Sequence, residues 1–245
     1  AGPPAPEAQS TRPADAPNVP GRIIWICVDS LRQDHLHYAG YGRDTSPWLD
    51  DLASRSADFR MAIAPSDGTH LSYPAYMTGK LFSTIHRSPR EGRGIPAEQT
   101  TLAEALQASG IASSVWSANV LFMALPGMTR GFRNVRVMSS PQASASVEDV
   151  IADVRATYKR SGGPELLYFH LMDAHIPYVP PAPYDTLFGQ SRPGGQVVNG
   201  ALRDAGGDFA RSTLQFYGYD GKTYAGGPVD AADVDRLVAL YDVAI

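Results

Sequence analysis

The chain has 245 residues, 43% of them hydrophobic, and a formal net charge of −4. That length is enough to bury one sizeable core, and the mild acidity, with no clustered basic face, excludes general nucleic-acid binding. No apolar run approaches the ~20 residues that span a bilayer, and the single Cys27 closes no internal disulfide, so cysteine usage leaves the redox compartment open.

Residues 1–20 carry Pro3, Pro4, Pro6, Pro13, Pro17 and Pro20 among alanines, which reads as an extended, disordered linker. Residues 21–245 read as one large domain or part of one. Residues 22–28 form a short β-branched apolar run, expected to be a buried strand holding Cys27 as a structural thiol, with Asp29 at its end. Thr45-Ser46-Pro47 then starts a helix through Leu49, Leu52 and Ala53. A small polar turn, Pro65-Ser66-Asp67-Gly68-Thr69, leads into a second helix ending at Met77-Thr78-Gly79.

Thr101-Leu102-Ala103-Glu104 has the pattern of a capping box, Gly110 closes that helix, and residues 111–117 read as a strand. Ser146 opens a helix with Val147, Val150, Ile151, Val154 and Tyr158 on one face. Residues 166–172 are a second buried strand, 176–229 a Pro/Gly-rich loop, and Asp230 caps a last helix with Val234, Leu237, Val238 and Tyr241 facing inward. Strands alternating with helices define an α/β fold, a mostly parallel sheet with helices on both faces. The chain starts without Met and stops inside an amphipathic pattern, so both ends are expected to be cut, with a leader or anchor lying outside this stretch.

Ligands of such sheets bind beyond the carboxyl ends of the strands, where three segments carry polar chemistry. Asp29 suits either a hard-cation ligand or a plain cap or turn residue. Thr69 sits where a helix N-terminus would favour an anionic ester; its hydroxyl is either a nucleophile activated by a metal or base, or part of an ordinary N-cap, as Ser72 could be. His175, in Met172-Asp173-Ala174-His175, follows the second strand and is either a hydrogen-bond donor or general acid, or a plain surface histidine. His170 lies within the strand and reads as structural. His35 and His37 have no fixed partner in the sequence, His86 follows a helix end, and none of these makes a zinc-spaced cluster. A Walker loop, a Gly-x-Ser-x-Gly elbow and a dinucleotide fingerprint are absent from the sequence.

Five stretches together resemble the sulfatase family of the alkaline phosphatase superfamily, in its order and spacing from about residue 21 onward. Ile24-Trp25-Ile26-Cys27-Val28-Asp29-Ser30 resembles the opening strand and metal-ligand loop. Tyr38-Ala39-Gly40-Tyr41-Gly42 through Leu49 continues it, Thr69 to Gly79 resembles the nucleophile segment, Thr101 to Ser117 a helix and strand, and Leu167 to Tyr184 the His-Pro-Tyr segment. The resemblance implies an N-terminal portion of a sulfatase-like catalytic domain. It implies Asp29 and Thr69 as ligands of one divalent cation, most often Ca2+, with Mg2+, Mn2+ or Zn2+ as alternatives. It further implies Thr69 as nucleophile, His175 as catalytic and substrate-binding, and Asn119 as substrate-binding.

Departures from the family pattern refine this. Family sulfatases convert Cys or Ser at the nucleophile position to an aldehyde. Threonine, with a methyl group on Cβ, cannot become that aldehyde, and so resembles the phosphate-transferring members instead. Ser30 replaces a second acidic ligand, Leu71 a Pro and Tyr73 an Arg or His, and the family's later Asp-His metal pair is not in the chain. The implied function is hydrolysis of a sulfate ester, or hydrolysis or transfer of a phosphate ester, on a small molecule or glycan, by an extracytoplasmic enzyme with a possible membrane anchor outside this stretch. The 245-residue piece alone is expected to be inactive. Two alternatives stand beside it: a non-catalytic relative binding an anionic glycan or lipid headgroup, and a structural domain on a membrane-anchored stalk.

Overall fold

The computed structural model describes residues 21–85, 94–140, 143–176, 178, 180, 183–189 and 231–245. The expected linker at 1–20, His86 and most of the loop expected at 176–229 lie outside the described residues. The elements are β1 (Arg22–Val28), α1 (Pro47–Ser54), α2 (Thr69–Thr78), α3 (Leu102–Ala108), β2 (Ala112–Ser117), α4 (Leu121–Ala124), β3 (Asn134–Val137), β4 (Ser139–Ser140), β5 (Ala143–Ser144), α5 (Val147–Thr157), β6 (Glu165–Leu171) and α6 (Ala231–Ala244). Four strands form a parallel sheet in the order β1-β6-β2-β3, and β4 with β5 makes a small antiparallel ribbon.

Local sequence chemistry explains the boundaries. The Thr101 hydroxyl accepts from the Glu104 amide while the Glu104 carboxylate accepts from the Thr101 amide, a reciprocal cap that starts α3. Ser146 and Asp149 do the same for α5. Pro47 opens α1, where its missing N–H costs nothing, and Gly79 ends α2 with φ +67°, a conformation open to glycine.

Alternation along the strands separates two apolar layers. Trp25, Cys27, Val115 and Tyr168 point to one face and pack with Tyr73 and Met77 of α2, Leu102, Phe122 and Met128. Trp116, Leu167 and Phe169 point to the other and pack with Val150 and Val154 of α5. Helices therefore cover both faces, as expected of a parallel sheet.

Two expectations need correction, and one strand is additional to them. β1 is not a fully buried strand: it lies at the sheet edge, and Ile23, Ile24 and Ile26 are 61%, 57% and 59% exposed. The described residues pair β1 on one side only, with β6, and a run apolar on both faces cannot reveal which neighbours are present. Ile151 is 44% exposed rather than packed, because α5 turns only Val150 and Val154 squarely into the sheet. β3 was not anticipated: Asn134-Val135-Arg136-Val137 is short and half polar, as an edge strand can be. Among the described residues no helix is long and apolar enough to cross a membrane.

Candidate functional site

Parallel register brings three strand ends to one rim. Cys27 and Ser117 both pair with His170 across the sheet. One step further, the Asp29 amide donates to Leu171 O at 2.9 Å and the Ala118 amide to His170 O at 2.9 Å. Asp29 and Asn119 thus leave their strands on either side of His170. From the face covered by α2, Thr69 arrives at the first helical position, preceded by Gly68 in extended backbone. A Cβ at Gly68 would lie 2.9 Å from the His70 ring, so a side chain there would require that ring to move aside.

These residues form one hydrogen-bonded cluster. Thr69 Oγ1 donates to Asp29 Oδ2 at 2.6 Å. Asn119 Nδ2 donates to the same oxygen at 3.2 Å and lies 3.4 Å from Thr69 Oγ1, while Asn119 Oδ1 accepts from the Leu121 amide at 2.9 Å, which fixes the orientation of its side-chain amide. His170 Nε2 stands 3.0 Å from Asp29 Oδ2. Its Nδ1 is 2.9 Å from Tyr168 Oη, itself 2.9 Å from Tyr76 Oη. Asp29 Oδ2 therefore meets three donors, and Oδ1 faces Ser30 Oγ at 3.4 Å.

The charges follow from this geometry. Burial pushes the Asp29 carboxyl up, but hydrogen bonds from His170 and Thr69 and the charges of His170 and His175 outweigh it and hold the group well below the usual carboxylate range. Burial pushes His170 down, but its bonds to Asp29 and Cys27 prevail and raise it to about 9. As an imidazolium its two N–H groups donate to Asp29 and to Tyr168. The rim thus gathers the Asp29 carboxylate, the Asn119 amide and the Thr69 hydroxyl, with the His170 ring buried beneath them, 1% exposed and bonded at both nitrogens.

Asp29, Thr69 and Asn119 share the cluster. His175 stands at the same rim, half-buried, with Nδ1 bonded to Ile176 O at 2.7 Å, and it reaches Asp29 through its charge. His170, expected as a structural residue within its strand, is buried there with its ring hydrogen-bonded into the cluster. Tyr73, at a position where family members carry Arg or His, is a core residue, 1% exposed, its hydroxyl donating to Met128 O. His35 and His37 do have fixed partners: His35 Nδ1 lies 2.6 Å from Asp242 and His37 Nδ1 2.5 Å from Asp50. His37, Asp44 and Asp50 also bring three potential ligand atoms within 4.8 Å of one another, on residues around the start of α1 rather than at the strand ends.

Asp29 and Thr69 supply a carboxylate and a hydroxyl 2.6 Å apart, which fits part of a hard-cation site. Calcium takes 6–8 oxygens, so these two are an incomplete set, and His170 Nε2 is committed to the carboxylate.

Asp173, between His170 and His175, shows a different balance. Its Oδ1 accepts from the Val147 amide at 3.1 Å, but Oδ2 is buried with no partner. Burial, with added repulsion from Glu148 and Asp149, raises its pKa despite the Val147 bond. A carboxyl raised in the folded state binds more protons folded than unfolded, so its contribution to stability falls as pH rises past the unfolded value. Asp173→Asn should therefore raise the melting temperature at pH 7–8, by no more than about 2–4 °C, and leave it unchanged near pH 3. Thermal melts at both pH values check this, and an equal shift at both would contradict it.

The carboxyl rim of a parallel α/β sheet, where ligands of such sheets bind, thus carries a carboxylate, a side-chain amide and a hydroxyl, with an imidazole buried beneath them. The sulfatase family profile matches residues 22–242, and the chain belongs to that family. Its fold is shared with the C-terminal periplasmic domain of EcEptC from Escherichia coli in complex with Zn (16% identity, TM-score 0.57, covering 92% of this chain and 55% of that one). It is shared equally with the phosphonate monoester hydrolase of Agrobacterium radiobacter (16%, 0.59, 92% and 56%). The third comparison is the soluble domain of lipooligosaccharide phosphoethanolamine transferase A from Neisseria meningitidis (13%, 0.57, 84% and 63%). The chain spans little more than half the length of the first two. No curated protein matches it in sequence.

Proposed function

We propose that the protein is a divalent-cation-assisted enzyme that cleaves or transfers a phosphate or sulfate ester through Thr69. The observation that carries this reading is the Thr69 hydroxyl, 2.6 Å from Asp29 Oδ2 at the carboxyl rim of the sheet. A cation held by Asp29 and Thr69 would supply Lewis acidity, making the hydroxyl easier to ionise. The all-oxygen pair suits a hard ion such as Ca2+; the zinc in the EcEptC complex keeps Zn2+ open.

In the reaction, Thr69 Oγ gives its proton to solvent and attacks the phosphorus or sulfur in line. The new Thr–O bond forms as the bond to the leaving oxygen breaks, its electron pair stays on that oxygen, and His175 protonates it. Water, or an acceptor hydroxyl, then takes the group from Thr69 and restores the free side chain. Asn119 Nδ2, beside Oγ1, and the His170 imidazolium balance negative charge that builds up at the rim; removing one such donor commonly costs ~10²–10³ in rate. His170 also holds the Asp29 carboxylate in place.

The family name supports sulfate, while Thr69 supports phosphate, as do the phosphonate hydrolase and the phosphoethanolamine transferase among the structural relatives. Periplasmic relatives support an extracytoplasmic location, and the lipooligosaccharide transferase supports a glycan or lipid-linked substrate. The test is acid quenching of the full-length protein during turnover of a phosphate or sulfate monoester, followed by mass spectrometry of the Thr69 peptide. Phosphoryl or sulfonyl mass on Thr69 is the expected result. Turnover with an unmodified Thr69 would overturn the proposal, and binding without turnover would favour the anion-binding alternative.

A further inference from the structure

We infer that Tyr241, on α6, is a positioning residue for the Asp29 centre, clamping the turn that carries the chain away from Asp29. The inference rests on the reading of Asp29 as part of the reactive centre. Ser30, next to Asp29, has φ +61°, the only positive φ at a non-glycine among the described residues. A serine held there sits in a sparsely populated conformation that surrounding contacts must impose. The contacts come from one hydroxyl: Tyr241 Oη donates to Ser30 O at 2.9 Å and accepts from the Arg32 amide at 2.7 Å. Both backbone groups belong to a turn outside any strand or helix, so the phenol supplies the pairing that a regular element would.

The anchoring of that phenol is strong. Tyr241 is 5% exposed, with its ring edge-on to His35 at 5.0 Å and to Tyr178 at 5.4 Å. Tyr178 lies three residues after His175, so the same ring touches the segments that follow both rim residues. Next to it, Asp242 is 1% exposed and accepts from His35 Nδ1 (2.6 Å), Tyr41 Oη (2.8 Å) and Arg43 Nη1 (2.6 Å). These bonds tie α6 to the stretch just beyond the clamped turn. A residue roughly two hundred positions away in sequence thereby sets the backbone from which the Asp29 carboxylate projects, and an error of ~1 Å at such a carboxylate is enough to spoil a catalytic geometry.

The test compares full-length wild type with Tyr241→Phe, which keeps the ring and removes the hydroxyl, and with Asp29→Asn. The readouts are hydrogen exchange of the Arg32 amide, the nitrogen NMR shift of His170 Nε2, and the calcium concentration that half-saturates the thermal shift. In Tyr241→Phe we expect roughly tenfold faster Arg32 exchange, a displaced His170 signal and a calcium midpoint roughly tenfold higher, at an overall melting temperature within a few degrees of wild type. An altered melting temperature with an unmoved His170 signal and calcium midpoint would reduce Tyr241 to a structural residue and overturn the inference, as would unchanged Arg32 exchange. If Asp29→Asn responds to calcium as wild type does, or wild type does not respond, it is the Asp29 reading that fails; the clamp is then decided by Arg32 exchange and the His170 signal alone.

Discussion

Thr69→Ala should reduce ester turnover by the full-length protein by roughly 10³-fold or more, while Thr69→Ser should retain a measurable part of it. Loss of a nucleophile removes the covalent route, and its cost usually matches the loss of the whole catalytic unit. The substitution is mild for the fold. Thr69 is the first residue of α2, capped by Gly68 rather than by its own hydroxyl, and its side chain faces the rim cluster. Asp29 would keep Asn119 and His170 as partners. Steady-state rates with aryl phosphate and aryl sulfate, alongside melting curves, provide the check. Activity within a few-fold of wild type in Thr69→Ala would remove this hydroxyl from the mechanism.

The second large effect concerns stability. Trp116 is 2% exposed, stacks on Phe169 at a centroid distance of 5.4 Å and packs with Val150 and Leu167 between the sheet and α5. Its Nε1 donates to Asp153 Oδ2 at 3.1 Å, and Asp153 also pairs with Arg136 of β3. Trp116→Ala opens a cavity in that layer and frees a carboxylate from one of its donors, so a loss of ~3–5 kcal/mol is expected. Trp116→Phe keeps most of the volume and should lose well under half as much. Urea unfolding of the two variants separates these values; a Trp116→Ala protein as stable as wild type would mean that the layer between the sheet and α5 is not packed as described.

Much of the fold could be read from local chemistry. The two reciprocal caps, the proline at the start of α1 and the glycine after α2 all stand where the residue types place them, because each is decided within a few residues of chain. Asp29 and Thr69 were legible as rim residues because each falls at the end or start of a recognisable element, whereas Asn119 entered only through the family resemblance. His170 was not legible in this way. A histidine within an apolar strand looks like core, and its role depends on register, which sets it beside Cys27 and thus one step from Asp29. The available signal was weak: His170 shares a strand face with Tyr168, so a polar pair points toward the covered side two residues apart. The buried pairing of His35 with Asp242 was equally hidden, since its partner is supplied by α6 from the far end of the chain.

The edge position of β1 has a consequence for handling the protein. Among the described residues β1 is paired on one side only and carries three solvent-facing isoleucines, and such a strand is a template for intermolecular pairing. Wherever that border stays bare, concentrated samples will tend to stick together side by side and lose solubility before they unfold.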